Sequence, residues 1–310
     1  MQTVLITGGA GFIGSHSVRA LLDRGWRVRV LDNLSTGKVD RLRADAHAAG
    51  RLDVIEADVR DAAAVNAAVQ GCDAVLHLAA QVSVQWSIAE PVASAANNVT
   101  GFINVLEAVR AHRIARVVYA SSAAVFGTPA SLPVDEQAAT APLSPYGLEK
   151  VINEQYAALY RSLHGVSALG MRYFNVYGPA QDPHSPYAGV ISKFAAALLE
   201  GRPLQVYGDG LQTRDFVYVE DVARANVQAL ESGVSGVVNV GQGHSITVRQ
   251  LIDEMSRAFD RPATLNQRPA VLGDILHSAT RIDLARDLLA WQPTTPLADG
   301  LAALAASLGT

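Results

Sequence analysis

A tyrosine and a lysine stand four residues apart in the segment Tyr146-Gly147-Leu148-Glu149-Lys150. Ser144 and Pro145 before them predict the start of a helix, because Ser caps helices and Pro fits the first turn. On that helix the phenol and the ammonium would share one face, and the ammonium would lower the pKa of the phenol. Tyr146 is therefore a candidate general base near neutral pH. The pair Ser121-Ser122 offers a hydroxyl that would hold a substrate oxygen beside the phenol.

Glycines follow the first predicted strand in Thr7-Gly8-Gly9-Ala10-Gly11-Phe12-Ile13-Gly14-Ser15. Gly8 permits a tight turn, Gly11 lets the backbone approach a pyrophosphate, and Gly14 allows close packing of helix on strand. The helix that follows would present its free N–H groups to that anion. The pattern predicts a dinucleotide site, and the positive charge of an oxidised nicotinamide bound there would lower the pKa of Tyr146 further.

Asp32 stands at the end of the second predicted strand. A carboxylate there accepts hydrogen bonds from the adenine ribose hydroxyls and repels a 2′-phosphate, so we expect NAD rather than NADP as the cofactor. Asp58 and Val59 follow the third strand and would lie near the adenine. Small residues after the fourth strand would let the backbone pass close to the cofactor; this segment is Leu78, Ala79, Ala80 and Gln81.

Short apolar runs alternate with longer helical patterns in the first half of the chain. Strands are expected at 4–6, 28–31, 52–55, 74–78, 117–120 and 167–171, and helices near 15–23, 61–70, 92–112 and 146–164. Nearly continuous apolar strands are typical of parallel strands covered on both faces. The repeated βαβ units predict an α/β fold with a doubly wound parallel (Rossmann) sheet, in which ligands bind beyond the carboxyl ends of the strands.

Prolines and glycines shorten the elements after about residue 175, and two further helical patterns lie at about 220–232 and 247–260. We expect residues 1–175 to form the cofactor-binding domain with the catalytic Ser, Tyr and Lys. Residues 176–310 would form a smaller mixed α/β substrate lobe over the carboxyl edge of the sheet, with some exchange of chain between the two lobes.

Composition argues against several classes of protein. The chain has 25 basic and 29 acidic residues, a net charge of −4, so no basic surplus favours nucleic-acid binding. Its one cysteine, Cys72, cannot form an internal disulfide. The histidines show no ligand spacing, so we expect no metal. No stretch approaches the ~18 apolar residues of a membrane span and no signal peptide is visible, so a soluble, cytoplasmic protein is expected.

The glycine pattern, Asp32, the serine pair and Tyr146-x-x-x-Lys150 together resemble the extended short-chain dehydrogenase/reductase family. The resemblance runs from residue 1 to about 292. Within this family, three further segments are similar to those of UDP-sugar 4-epimerases; they are 31–37, 172–178 and 208–217.

This resemblance implies a mechanism. Tyr146, as phenolate, would remove the proton from the sugar O4 while C4 gives a hydride to NAD. The 4-keto sugar would then turn, and the hydride would return to its other face. Lys150 would bind the nicotinamide ribose and tune Tyr146.

One serine would orient the sugar O4. The position of Val125-Phe126-Gly127 favours Ser122, and a small gap before Tyr146 keeps Ser121 as the alternative. Dehydratases and decarboxylases of the family need acidic groups beside that hydroxyl. This chain has Ala123 and Ala124 there, which cannot transfer protons.

The resemblance also implies binding residues. The cofactor residues include Gly8, Gly11 and Gly14 of the glycine turn, Asp32, Asp58, Val59 and the segment 78–81. The others are Phe12, Ile13, Asn33, Ser35, Thr36, Gly37, Asn98, Tyr146, Lys150 and Tyr173. Those for a UDP-sugar, besides Ser122 and Tyr146, are Ser83, Asn175, Gly189, Val190, Lys193, Gln205, Val206, Tyr207, Arg214, Asp274 and Ser278. Val271 stands where the family has an arginine, so Arg268 or another base would take its phosphate contact, or the phosphate would be held more weakly.

Ser278 matches the family position beside the C2 substituent of the sugar. Large aromatic residues there resemble epimerases restricted to UDP-glucose and UDP-galactose, and small residues resemble those that accept N-acetyl sugars. Ser278 therefore favours interconversion of UDP-GlcNAc and UDP-GalNAc. The alternatives are a UDP-glucose 4-epimerase, a related NAD-dependent sugar-nucleotide reductase, and an idle NAD-binding regulator. The resemblance further implies a homodimer.

Overall fold

The computed structural model of the chain describes residues 1–43, 50–182, 189–270 and 275–309. The strands in these ranges are β1 (Thr3–Thr7), β2 (Arg27–Asp32), β3 (Leu52–Glu56), β4 (Ala74–His77), β5 (Arg116–Ser122), β6 (Ala168–Tyr173), β7 (Asn175–Tyr177), β8 (Leu204–Tyr207), β9 (Thr213–Arg214), β10 (Phe216–Tyr218), β11 (Gly236–Val240), β12 (Ile246–Thr247) and β13 (Leu265–Arg268). The helices are α1 (Phe12–Asp23), α2 (Asp40–Arg43), α3 (Ala62–Val69), α4 (Val84–Ala89), α5 (Pro91–Ala95), α6 (Gly101–His112), α7 (Pro145–His164), α8 (Val190–Leu199), α9 (Val219–Glu231), α10 (Val248–Ala258), α11 (Asp283–Leu289) and α12 (Leu297–Ser307).

Seven parallel strands form one sheet in the order β11-β6-β5-β4-β1-β2-β3. The winding direction reverses between β1 and β4, so the loops after these strands diverge and leave a crevice at the carboxyl edge. The predicted α/β fold with a doubly wound parallel sheet is confirmed.

Apolar side chains cover both faces of this sheet. Val4 and Ile6 pack on one face, with α1 and α9, whereas Leu5 packs on the other face, with α3 and α6. Adjacent residues of a strand point to opposite faces, so a strand buried on both faces needs apolar residues at every position. This explains the continuous apolar runs of the sequence.

The predicted helix at 92–112 is interrupted. Its first turn is α5, a π-helical segment follows at Ala96–Thr100, and α6 continues the chain. Asn98 lies in that segment; its Nδ2 donates to Glu149 Oε2 (2.6 Å), and its backbone oxygen accepts from Asn153 Nδ2 (3.0 Å). The departure from α-helical geometry at Ala96–Thr100 thus coincides with hydrogen bonds between Asn98 and α7.

The smaller elements after β6 build a second core. Two-stranded sheets pair β7 with β10, β8 with β13 and β9 with β12, and α8, α10 and α12 pack against them. However, β11 pairs with β6 in the large sheet, and α9 packs on α1. Residues on both sides of position 175 therefore build the large layer, and the division of the chain at that position stays a prediction.

Among the described residues, no helix combines the length and apolar character needed to cross a membrane.

Candidate active site

The turn between β1 and α1 is shaped by glycines. Gly8 has φ +71°, and a Cβ atom on it would lie 2.6 Å from Ala79 N. A Cβ atom on Gly14 would lie 2.8 Å from Gly9 Cα and would also clash with Gly8 O. No described side chain caps the N-terminus of α1 at Gly11, so its first-turn N–H groups are available to an anion. Phe12, Ile13 and Gly14 form this first turn.

Asp32 links that turn to the end of β2. Its Oδ2 accepts from Ala10 N and its Oδ1 from Leu34 N, both at 2.9 Å. Gly37 passes so close that a Cβ atom there would lie 2.7 Å from Asp32 Oδ1. Each carboxylate oxygen can accept a second hydrogen bond, so the buried group can still take the two hydroxyls of a ribose.

The loop after β3 meets the loop after β2. Asn33 Nδ2 donates to Asp58 Oδ2 (2.8 Å), and Ser35 Oγ donates to Asn33 Oδ1 (2.7 Å). Hydrogen bonds from Arg60 hold the pKa of Asp58 far below its usual range. Val59 is buried beside Gly101, and Thr36 is exposed.

The end of β4 is tied to β1. Leu78 N donates to Thr7 O (3.0 Å) and Ala79 N to Thr7 Oγ1 (3.3 Å). His77 is buried with Nδ1 2.8 Å from Thr7 Oγ1, and burial lowers its pKa to about 3, so the imidazole is neutral. These contacts bring the half-buried Leu78, Ala79 and Ala80 beside the glycine turn.

Asn98 supports the next part of this loop. Its Oδ1 accepts from Gln81 N (2.8 Å) and its Nδ2 donates to Gln81 O (2.9 Å). Ser83 Oγ accepts from Trp86 N (3.0 Å) and thereby caps α4. The amide of Asn98 is thus used to hold the Gln81 backbone in place.

Ser122, Tyr146 and Lys150 meet where β5 ends and α7 begins. Ser144 Oγ accepts from Gly147 N (3.1 Å) and caps α7, which places Tyr146 in its first turn. Ser122 lies close enough to the Tyr146 phenol to act on its pKa. Lys150 Nζ lies 5.7 Å from the centre of the Tyr146 ring and donates to Ala120 O (2.9 Å). The Ser121 hydroxyl is directed elsewhere: it donates to Glu154 Oε1 (2.6 Å).

Burial shifts the pKa values of Tyr146 and Lys150. It raises the pKa of the Tyr146 hydroxyl above its usual value, and the hydrogen bond with Ser122 offsets part of that effect. It also lowers the pKa of Lys150 to about 8, although Glu149 and Glu154 act in the opposite direction. Without the cofactor, burial thus dominates the pKa of Tyr146. The expectation that Lys150 together with oxidised nicotinamide lowers this pKa stays a prediction.

A cavity of about 600 Å³ lies in the second lobe, and its size suits a small-molecule ligand. The cavity is lined by α8, β8 and β9 and includes six of the residues expected to bind a UDP-sugar: Val190, Lys193, Gln205, Val206, Tyr207 and Arg214. Gly189, also expected there, is the N-cap of α8. Arg202 and Gln212 line the same cavity although their sequence context gave no motif.

Several expected residues have other contacts. Asn175 Nδ2 and Arg214 Nη1 donate to backbone oxygens, of Asp215 (3.0 Å) and Thr213 (2.9 Å) respectively. The Tyr173 hydroxyl donates to Asn226 Oδ1 (2.6 Å) within the core under α1 and α9. Arg268, the suggested substitute for an arginine at 271, donates to Gln205 Oε1 (2.9 Å).

Residues 275–281 run between β9 and the loop after β5; we call them the specificity segment because the resemblance implies a role for Ser278 in the choice of sugar. Ser278 N donates to Thr213 O (3.2 Å), and Val134 N donates to Ala279 O (3.0 Å). The residues at 271 and 274 lie outside the described ranges, so the roles expected for Asp274 and for a base replacing Val271 stay predictions.

Within the described ranges, no three His, Cys, Asp or Glu side chains cluster as a metal site would require.

Glu154 and Arg172 are the residues near this site that sequence reasoning missed. Arg172 Nε and Nη2 donate to the two oxygens of Glu154, at 2.9 and 2.7 Å. The available signal was spacing, because Glu154 follows Lys150 by four residues and so lies on the same face of the helix.

Comparison with known proteins defines the class to which this fold and site belong. Residues 4–241 match the NAD dependent epimerase/dehydratase family, and the chain belongs to that family. A UDP-glucose 4-epimerase of Mycolicibacterium smegmatis is 39% identical over 301 residues, 96% of each chain.

Solved structures resemble the whole chain. The UDP-N-acetylglucosamine 4-epimerase from Methanobrevibacter ruminantium, in complex with UDP-N-acetylmuramic acid, has a TM-score of 0.95 and 37% identity, covering 99% of this chain and 98% of its own. The Thermus thermophilus UDP-glucose 4-epimerase in complex with NAD has a TM-score of 0.91 and 35% identity, and each chain covers 100% of the other. The predicted resemblance to UDP-sugar 4-epimerases is confirmed.

The cofactor is NAD, as the sequence predicted. The residues fit it: Cβ atoms on Gly8 and Gly14 would fill the turn after β1, and the uncapped N-terminus of α1 lies at that turn. The Asp32 carboxylate at the end of β2 can accept hydrogen bonds from a ribose.

Proposed function

We propose that the protein is an NAD-dependent UDP-sugar 4-epimerase, with UDP-GlcNAc and UDP-GalNAc as its preferred pair. The observation that carries the proposal is that Ser122, the Tyr146 phenol and Lys150 meet at one place, with Lys150 Nζ 5.7 Å from the centre of the Tyr146 ring. Such a group suits proton transfer at a sugar hydroxyl, because the phenol is the base and the serine orients the oxygen that loses its proton.

The chain's own residues would move and hold protons at the sugar O4. NAD, when bound, supplies a reversible hydride acceptor for C4. Tyr146 takes the O4 proton and returns it after the 4-keto sugar has turned. Ser122 donates a hydrogen bond to O4, and the Lys150 ammonium stabilises the phenolate. Burial of these groups excludes water from the reacting oxygen.

Elimination is not supported by the residues beside Ser122. Ala123 and Ala124 form a short 3₁₀ turn that the serine caps, since Ser122 Oγ accepts from Ala124 N (3.1 Å). Neither side chain can carry a proton, so a dehydratase is disfavoured. The intact serine, tyrosine and lysine also argue against an idle NAD-binding regulator.

The uridine diphosphate would bind in the cavity of the second lobe. Lys193 and Arg214 supply positive charge for an anionic ligand, whereas Arg202 is paired with Glu200. The strand β8 offers backbone groups to a base. The cavity thus offers positive charge to two phosphates, although the net charge of the chain is negative.

The choice of sugar rests on Ser278, because its small side chain leaves volume for an acetamido group. The test measures conversion of UDP-GlcNAc and of UDP-glucose, each with NAD, by chromatography of the products. We expect higher kcat/KM for UDP-GlcNAc. Conversion of neither substrate would refute the epimerase, and preference for UDP-glucose would refute the assignment of the pair.

A Ser278→Tyr variant tests the same argument from the other side. We expect it to lose UDP-GlcNAc turnover and to keep UDP-glucose turnover, because a large ring would fill the space of the acetamido group. Ser131→Tyr, at an exposed loop position, is the matched control and should change neither.

We also propose that the protein is a homodimer. Apolar side chains on α4, α5 and α7 are exposed, namely Ile88, Val92, Leu148, Leu159 and Leu163. Leu148, Leu159 and Leu163 recur at helical spacing and form one stripe on α7. We call this stripe, together with Ile88 and Val92, the apolar face. A second copy of this chain would cover it.

A further inference from the structure

Behind the catalytic group, buried polar side chains join two strands, β5 and β6, to the helix α7. Ser121 on β5 donates to Glu154 on α7, and Arg172 on β6 donates to both oxygens of the same carboxylate. Ser121 and Arg172 are 2% and 4% exposed, and the Glu154 side chain is 11% exposed. The Arg172 guanidinium also lies 4.8 Å from the centre of the Phe126 ring.

A buried ion pair of this kind contributes little net free energy to the stability of a fold. Removing two charges from water costs free energy that their attraction recovers only with good geometry, and apolar residues of similar size often serve as well. Here Glu154 also accepts from Ser121, so its carboxylate joins the strand that carries Ser122 to the helix that carries Tyr146 and Lys150. Its place in the structure therefore suggests a role in the site.

The pair also reaches the specificity segment. Arg172 Nη1 donates to Glu136 O (3.2 Å), and Glu136 Oε1 accepts from Asn239 N (2.6 Å). The neighbouring Val134 exchanges backbone hydrogen bonds with residues 279 and 281. The catalytic strand and the segment that carries Ser278 are thus linked by polar contacts.

We propose that Glu154 and Arg172 form a positioning pair for the catalytic residues. Through Ser121 the pair holds the end of β5 against α7. Since adjacent strand residues point to opposite sides, Ser122 is then directed to the edge of the sheet, where it meets Tyr146. Through its charge, Glu154 keeps Lys150 protonated from one turn away on the same helix face.

The groups around Lys150 set the sign of the electrostatic effect. Glu149 and Glu154 on α7 favour its charged form, whereas burial disfavours it; neutral His77 on β4 and Tyr146 complete the surroundings. Arg172 and Tyr119 face Glu154 from the neighbouring strands. Lys150 loses its proton as pH rises through about 8. Loss of the Glu154 charge lowers that pKa further.

The first experiment titrates Lys150 directly. The chain has lysine only at positions 38, 150 and 193, so NMR of lysine side chains labelled with ¹³C and ¹⁵N gives a simple spectrum. In Glu154→Gln we expect Lys150 to titrate below its value of about 8 in the unaltered protein. Glu107→Gln is the matched control, since Glu107 pairs with Arg110 on the surface and should leave the titration unchanged.

The second experiment measures turnover and rests on the proposed function. Glu154→Gln should lower kcat about tenfold, less than loss of the base itself, and should move the alkaline limb of the pH profile to lower pH. KM for the UDP-sugar should stay constant, because the pair does not touch the nucleotide cavity. If the unaltered protein converts no UDP-sugar, the proposed function fails, and the titration still decides the electrostatic role of Glu154.

Two further variants separate the two roles of the pair. Ser121→Ala and Glu154→Asp cut or lengthen the link to β5 and keep the charge, so kcat should fall while Lys150 still titrates near 8. They also serve if Glu154→Gln does not fold. Unchanged kcat in both, or an unchanged Lys150 titration in Glu154→Gln, would overturn the proposal.

Discussion

Tyr146 is a side chain at which burial and hydrogen bonding act on the pKa in opposite directions. Its hydroxyl is removed from water, which raises its pKa, and Ser122 lowers it again by a hydrogen bond. Lys150 is itself destabilised as a cation by burial. A site that must hold a phenolate therefore needs the positive charge of oxidised NAD in addition to its own residues, which couples proton transfer to the oxidation state of the cofactor.

We predict that Tyr146→Phe lowers kcat by about 10²- to 10⁴-fold, the range for loss of a positioned general base. NAD should remain bound, because the substitution leaves the glycine turn between β1 and α1 unchanged. The measurement is kcat with the preferred UDP-sugar together with NAD content by absorbance after denaturation. Tyr160→Phe, on the same helix but bonded to Glu107, should keep full activity; activity retained in the Tyr146 variant would refute the assigned base.

The two adjacent serines provide a second prediction. Ser122→Ala should lower kcat about 10- to 100-fold, as expected for loss of a hydrogen bond to a charged oxygen. Ser121→Ala should cost less, because its hydroxyl contacts Glu154 rather than Tyr146. A larger loss in the Ser121 variant would reverse the assignment; circular dichroism of both variants checks that they fold.

At the scale of elements, we propose the junctions between strands and helices as the cofactor site. The β1–α1 turn, the end of β2 and the start of the loop after β4 approach within hydrogen-bonding distance at Thr7, Gly8, Ala10 and Asp32. Close approach requires glycine, and parallel pairing places all three strand ends at one edge. Substitution of a glycine should therefore affect cofactor binding and stability together.

We predict that Gly14→Ala lowers the free energy of unfolding by about 1–3 kcal/mol, the usual cost of forcing atoms into a packed region. The turn must shift away from the new methyl group, so NAD content should also fall. Gly233→Ala is the control, because nothing lies within 4 Å of a Cβ atom there. Urea unfolding and NAD content give the result, and a Gly14 variant indistinguishable from the control would contradict the packing argument.

At the scale of the whole molecule, two layers share the chain. The strand β11 and the helix α9 come from the second half yet complete the large sheet, so that layer cannot form without them. The apolar face lies on α4, α5 and α7, beside the catalytic helix. A dimer through this face would bury exposed apolar surface and hold α7 in place.

We predict that Leu159→Arg converts a dimer of about twice 32.7 kDa into a monomer, because a charge at the centre of the apolar face disfavours its burial. Light scattering after size-exclusion chromatography measures the mass. Leu288→Arg, an exposed position on α11, should remain dimeric. A monomeric parent protein would refute the dimer outright.

The amino-acid sequence by itself predicted the strands β1 to β6, the helices α1, α3, α7, α9 and α10, the glycine turn, Asp32 and the Tyr146–Lys150 pair. Each of these depends on residues a few positions apart, whose spacing sets helix faces, strand faces and turns locally. The break of the predicted 92–112 helix at Ala96–Thr100 could not be foreseen, because its polar partners come from α7.

Tertiary structure alone decided which serine meets Tyr146, and it joined Ser121 to Glu154 and Arg172. It also brought residues 190–214 and Val248 around one cavity. These partners are far apart in the chain. Local helix, strand and turn preferences do not favour one such contact over another, so the packing of the whole molecule decides which of them form. The pKa of Tyr146 belongs here too, since desolvation is a property of everything that surrounds a group.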